Sequence, residues 1–272
     1  MKLTKKEKRA LEANKYYWAD RNAKAQTILT EKNVRQLEKQ VADYYAKTMD
    51  FVIRDFELTY AKLLSTVEQG KQPTPADLYK LDKYWHLQAQ LRKELDKLGN
   101  HQIKAMSNMF INEYKDIYDI ISLPSGREFA EMPTDIIEQM INAIWCNDGK
   151  SWKERIWSNT SKLQEALNEG LIECLLGGKT TKDLKWRLRD SFGVSFGRAD
   201  ALVRTEMSHI QNQAARQRYL DAGCTEYEIL ADKDERQCEI CGKLHGKRVK
   251  MNETLPIPAH PRCRCSIIPV IE

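Results

Sequence analysis

Glycine and proline are scarce in this chain, at 12 and 8 of 272 residues, and neither occurs before Gly70. That scarcity excludes collagenous and low-complexity architectures and leaves room for long uninterrupted helices. No run of about 18 apolar residues exists, so no helix is expected to span a membrane. The basic start, Met1 to Arg9, is not followed by an apolar segment, and no secretory leader is expected. The net charge is only +5, which permits contact with nucleic acid without demanding it. The motifs of common enzymes are missing too. There is no HExxH, no GxSxG, no glycine-rich phosphate loop and no carboxylate pair at a spacing that compels acid–base chemistry. What remains is 42% hydrophobic and 31% charged, the balance of a soluble, helix-rich protein; the fold class expected for the whole chain is mainly α (α+β), the strands coming from the tail.

The chain opens on a long helix, predicted from Leu11 to about Val67. Val34, Leu37, Val41, Tyr45, Val52 and Phe56 recur at three-, four- or seven-residue steps, which makes one apolar face. Gly70 to Pro75 breaks it. Thr74 then reads as an N-cap with Pro75 in the first turn and Asp77 at the positive helix end. The next helix buries Leu81, Tyr84, Leu91, Leu95 and Leu98, is interrupted or kinked at Gly99-Asn100, and resumes through Ile103, Met106, Phe110, Tyr114 and Ile117. The aromatics around it, Tyr79 and Trp85 among them, read as core. Residues 1–125 are thus a helical bundle or extended hairpin.

Leu123-Pro-Ser-Gly126 and Met132-Pro-Thr-Asp135 mark a candidate boundary. Shorter helices follow at about 135–143, 152–176 and 181–192, the second stopped by Gly177-Gly178 and the third capped by Thr180. Ser195 reads as the cap of a longer helix over 196–222, ended by Gly223. Lys182, Lys185, Arg187, Arg189 and Arg198 make this region basic, as a solvated face or as phosphate contacts. Arg204 and Glu206 are two apart and face different ways. A buried ion pair with other elements, fixing helix to sheet, is the expected use of the Arg204-Thr-Glu206 cluster. Three short strands close the chain, over 225–231 with Tyr227 and Ile229 on one face, 246–251 and 266–270.

Four of the seven cysteines lie in that tail. Cys238-Glu-Ile-Cys241-Gly242 has the form of a zinc knuckle, with Gly242 letting backbone N–H groups turn toward the sulfurs. After eighteen residues, His260-Pro-Arg-Cys263-Arg-Cys265 supplies a second pair at similar bite. The expected ligands of one structural zinc are Cys238 and Cys241, then His260 with either Cys263 or Cys265. His245 is expected to stand apart as a hydrogen-bonded loop histidine. Reduced, packed cysteines or a disulfide are the alternatives, ahead of a redox Cys-x-x-Cys, which would normally open a helix in a βαβ unit that no pattern here indicates. The polar segment 243–259 cannot bury a core alone, so a metal would supply its folding free energy, on the order of 10 kcal/mol.

Several segments together resemble the minor head protein family of tailed bacteriophages, the head-morphogenesis or Mu F-like proteins. They are Glu154-Arg-Ile-Trp157-Ser-Asn-Thr160, Leu202-Val-Arg-Thr-Glu206, Tyr227-Glu-Ile-Leu-Ala231, Asp234 to Cys241, Leu244-His-Gly-Lys247 and His260 to Cys265. They place a domain at 130–272, with its knuckle at 238–265. Glu239 departs from the family's usual Cys-Pro-x-Cys, and the loop before His260 is short. The resemblance implies a structural, non-enzymatic head protein inside the virion at the portal vertex, made in the host cytoplasm. The portal protein is its main implied partner, with other capsid or scaffolding proteins and non-specific packaged DNA besides, and no membrane during assembly. Its implied work is head assembly and DNA packaging or ejection. The competing readings are a metal-dependent nuclease or protease of head maturation and a zinc-containing DNA-binding module. The second suffers from the acidic and glutamine-rich character of the helix before the knuckle.

Overall fold

The computed structural model describes residues 5–66, 71, 74–80, 82–121, 131–231 and 237–270, with side chains from residue 21 onward, Thr66 excepted. The elements are α1 (Lys5–Thr66), α2 (Pro75–Tyr79), α3 (Asp82–Ile120), α4 (Thr134–Asn142), α5 (Trp152–Leu176), α6 (Thr181–Asp221), β1 (Glu226–Leu230), α7 (Glu239–Leu244), β2 (Arg248–Lys250) and β3 (Ser266–Val270). The protein is mainly helical with a small antiparallel sheet near its C-terminus. The boundary residues 123–126, the apolar Leu81 and the charged Asp234–Arg236 lie outside the described residues. Among the described residues no helix is long and apolar enough to cross a membrane.

The helix ends follow from their local sequences. Thr74 and Asp77 form a capping box on α2, with Pro75 in the first turn. Ser151 and Glu154 do the same for α5. At α6, the Thr180 hydroxyl accepts the Asp183 N–H at 3.3 Å while the Asp183 carboxylate accepts the Thr180 N–H at 2.9 Å. Helices α5 and α6 both finish in a glycine with positive φ, Gly178 at 57° and Gly223 at 84°. The following N–H groups reach back to Cys174 O and Tyr219 O, both at 2.9 Å, which satisfies carbonyls left over at the helix end.

The chain divides into two compact units. One comprises residues 38–106 and 144–200. Its interior holds Val41, Tyr45, Val52, Phe56 and Tyr60 of α1, Leu91, Leu95 and Leu98 of α3, Leu163 and Leu167 of α5, and Leu188 and Phe192 of α6. Burying each contributes about 2 kcal/mol before entropy is counted. Polar cross-links lie inside it. The Tyr60 hydroxyl donates to Cys174 O and Lys179 O at the end of α5. Asn159 Nδ2 donates to Tyr45 Oη and to Ser195 O, both at 2.9 Å.

Three expectations need correction in this unit. Helix α3 continues through Gly99 without interruption. A Cβ there would lie 2.6 Å from Trp157 Cζ3, so the glycine serves close approach of α3 to the α5 indole and not a break. Ser195 is no cap: α6 is continuous from Thr181 to Asp221, and Ser195 is buried inside it, sharing a 3.1 Å hydrogen bond with the Tyr45 hydroxyl. Tyr79 and Trp85 are exposed, stacked on each other with the Trp85 indole N–H on Tyr79 O; of that group Tyr84 alone is core.

The other unit comprises residues 1–37, 107–143 and 201–272. Its helical interior is unusually polar. Glu113 is fully buried and accepts hydrogen bonds from Thr30 and, at 2.6 Å, from Asn33 Nδ2. Burial pushes the Glu113 carboxyl above its ordinary range, and these two donors only partly offset it. The sheet order is β2-β1-β3. Tyr227 and Ile229 of β1 are buried, as their alternation predicts.

A Cys/His cluster at the open end of the sheet

Sheet register assembles the candidate site. Leu230, the last residue of β1, pairs with Ser266, the first of β3. The chain leaving β1 toward Cys238 and the chain entering β3 from Cys265 therefore meet at one end of the sheet. Cys238 is the N-cap of α7, and its sulfur accepts the Cys241 N–H at 3.3 Å. A backbone N–H of the knuckle, that of Cys241, thus turns toward a sulfur, while the Gly242 N–H makes the helical bond to Cys238 O at 2.9 Å.

The second ligand pair sits on a tight turn, His260-Pro261-Arg262-Cys263, closed by the Cys263 N–H on His260 O at 3.2 Å. Arg262 has φ 62°. Proline followed by a positive-φ residue is the signature of a type II turn, in which a non-glycine residue costs roughly 1–2 kcal/mol.

The structure brings all five predicted residues together. The His260 Nε2 atom lies 3.1 Å from both Cys238 Sγ and Cys241 Sγ, and Cys241 Sγ lies 3.7 Å from Cys263 Sγ. Among the described residues, two groups can hold a metal ion, Cys238-Cys241-His260 and Cys241-Cys263-Cys265, and Cys241 belongs to both. In a tetrahedron with ligand bonds of about 2.3 Å to sulfur and 2.0 Å to nitrogen, neighbouring donors sit about 3.5–3.8 Å apart. The observed spacings already approach that bite. His260 Nδ1 is 2.8 Å from Pro261 O. A carbonyl can only accept, so Nδ1 carries a proton and Nε2 is the ring nitrogen left for the sulfurs or a metal. His245 stands apart as expected, its Nδ1 accepting the Ala231 N–H at 3.2 Å.

The sulfurs are strongly differentiated. A hydrogen bond from Cys265, helped by backbone N–H groups, pulls the Cys263 thiol down to about 5. The Cys241 N–H lowers Cys238. Burial pushes Cys241 up to about 12, and the neighbouring Cys263 thiolate pushes Cys265 up. Burial works against protonation of His260, but the Pro261 carbonyl and the charges of Cys263 and Cys238 outweigh it and raise its pKa. The cluster is thus a partly ionised, proton-sharing donor set, the kind a cation completes by displacing protons.

The ligand loop is gripped by a helix that spacing arguments did not single out. Thr205, Asn212 and Tyr219 lie seven residues apart on α6. Thr205 Oγ1 accepts the Arg262 N–H at 2.9 Å, Asn212 Nδ2 donates to Cys265 O at 2.9 Å, and the Tyr219 hydroxyl donates to Ile267 O at 3.2 Å. The available signal was a seven-residue recurrence of hydrogen-bonding side chains on a helix. Glu206 is buried and Arg204 exposed, on different faces as expected. In the basic stretch upstream, Lys185 pairs with Glu57 at 3.4 Å and Arg187 with Glu173 at 3.1 Å, so part of that charge is already neutralised.

Residues 162–268, from α5 to β3, match the family model described as Phage Mu protein F like protein. No curated protein and no solved structure matches the chain.

Proposed function

With residues 162–268 as a Mu F-like, phage-head-related domain, we propose that the protein is a minor structural component of a tailed-phage head. In this reading it sits inside the head at the portal vertex and assists head assembly and DNA packaging or ejection. The observation that carries the reading is the family match, whose span includes the whole Cys/His cluster. The portal protein is the main partner. Other capsid or scaffolding proteins and packaged DNA are secondary ones, the DNA held through phosphates without sequence preference. Mass spectrometry of purified heads of the parent phage, with a pull-down on its portal protein, tests this. Recovery in heads and on the portal is the expected result. Absence from both, beside head proteins that are recovered, would overturn it.

The cluster's role in this reading is structural. One zinc per chain would be held by Cys238, Cys241, His260 and Cys263, with Cys265 against them as a neighbouring thiol. Three sulfurs and one imidazole suit zinc, and four protein ligands leave no open position for water. The ion would supply folding free energy to a tail whose strands are too short to stand alone. The protein then acts as an assembly component and not as a nuclease or protease. Elemental analysis of the purified chain is expected to return about one zinc per chain.

A further inference from the structure

Within Leu202-Val-Arg-Thr-Glu206, ion pairing is the expected use of the charged residues, and Thr205 between them has no expected role. We propose that Thr205 is a positioning residue of the metal site. Its hydroxyl locks the Pro261–Arg262 peptide in the orientation that aims His260 and Cys263 at Cys241. The inference rests on the metal reading given above and adds to it an outer shell on α6.

One peptide plane, that of Pro261–Arg262, carries two of the contacts that fix the turn. Its carbonyl, Pro261 O, accepts the His260 Nδ1–H at 2.8 Å, and its N–H, on Arg262, donates to Thr205 Oγ1 at 2.9 Å. Thr205 is itself fixed, because its hydroxyl donates to Ala201 O at 2.6 Å. The hydroxyl proton and one of its two lone pairs therefore have defined uses.

Arg262 is not glycine, yet it sits at φ 62°. Left alone, a Pro-Arg turn prefers the type I form, in which the residue after proline has negative φ. Conversion between the two forms flips the central peptide plane. The flip would take the Arg262 N–H away from Thr205 and Pro261 O away from His260 Nδ1 together. The imidazole would then lose the bond that fixes its tautomer and ring plane, while Cys263, closing the same turn, would shift with it. Thr205 thus acts on His260 through the backbone, as outer-shell partners of metal-bound histidines do.

The test is zinc affinity of the full chain by competition with a chromophoric chelator, for wild type, Thr205→Val, Thr205→Ser and Thr205→Val with Arg262→Gly. Valine matches threonine in shape and removes the acceptor. It is expected to weaken zinc binding about 10–100-fold, while serine stays close to wild type. The glycine double variant is expected to recover most of the loss, because glycine accepts positive φ without help. Arg262→Gly alone serves as the control for loss of the arginine side chain. Wild-type affinity in Thr205→Val, or no recovery in the double variant, would overturn the assignment. Exchange of the Arg262 amide, measured on the metal-free chain, separates this claim from the metal reading. If wild type binds no zinc, the metal reading fails. The lock still stands if that amide exchanges slowly in wild type and fast in Thr205→Val, and it falls if the two rates are equal.

Discussion

The apolar interior of residues 38–106 and 144–200 and the tail from Glu226 to Val270 solve the same problem by opposite means. The first buries large side chains such as Phe56, Tyr60, Leu91 and Leu98 along helices of 25 residues or more. The second has strands of five, three and five residues, too short to stand alone. It relies on a donor cluster and on backbone groups gripped by Thr205, Asn212 and Tyr219. Packing is a distributed sum in which any one side chain is a small part. The cluster concentrates its contribution in a few atoms, so loss of one is expected to be felt by all.

Cys241→Ser should break that contrast most visibly, because Cys241 belongs to both donor groups. Zinc binding is expected to disappear, and with it most of a folding contribution on the order of 10 kcal/mol to the tail. Limited proteolysis should trim the chain near Gly223 while far-ultraviolet circular dichroism keeps its helical signal. Collapse of both signals together would show that the packed helices depend on the cluster.

Gly99→Ala probes the packed side. Alanine favours a helix by about 1 kcal/mol over glycine, but its methyl would meet the Trp157 ring at 2.6 Å. Overpacking costs typically 1–3 kcal/mol. A net fall in the urea midpoint is the expected outcome, and a rise would mean the indole gives way freely.

Glu113→Gln tests the polar interior of the other unit. Because burial raises the Glu113 carboxyl in the folded protein, the fold holds that proton more tightly than the unfolded chain does. Its contribution is fully present below the ordinary carboxyl range and is lost as pH rises through the folded value. Glutamine can still meet Thr30 and Asn33, so the variant should be more stable than wild type at pH 7 by on the order of 1 kcal/mol. The difference should shrink toward pH 4 in paired denaturation curves.

The smallest effect is expected from Gly193→Ala, where a Cβ meets nothing within 4 Å. A stabilisation of up to about 1 kcal/mol should follow from helix propensity alone. Set against Gly99, it separates a glycine required by close packing from one that is not.

These features were unequally legible in the sequence. The caps at Thr74 and Thr180, the alternation at Tyr227 and Ile229 and the ligand pairs at 238–241 and 260–265 announce themselves because each depends on residues a few positions apart. Gly99 and Ser195 misled because glycine in a helix has two meanings, a break or a close approach, and only the position of Trp157 decides between them. Serine likewise caps a helix or hides inside one, and Tyr45 decides that. The choice among five donors, and the grip of α6 on the ligand loop, rest on contacts between residues about 20 to 57 apart. No local pattern encodes those.

The two ligand pairs also define a loop in the polymer sense. The chain between Cys241 and His260 is a tether whose ends the cluster holds together. For such a tether each doubling of length costs only about 0.6 kcal/mol in closure entropy. Its exposed turn at Asn252–Thr254 is therefore the place where this fold can absorb inserted residues. Added length there leaves the donor atoms, the turn that carries His260 and the three-stranded register as they are.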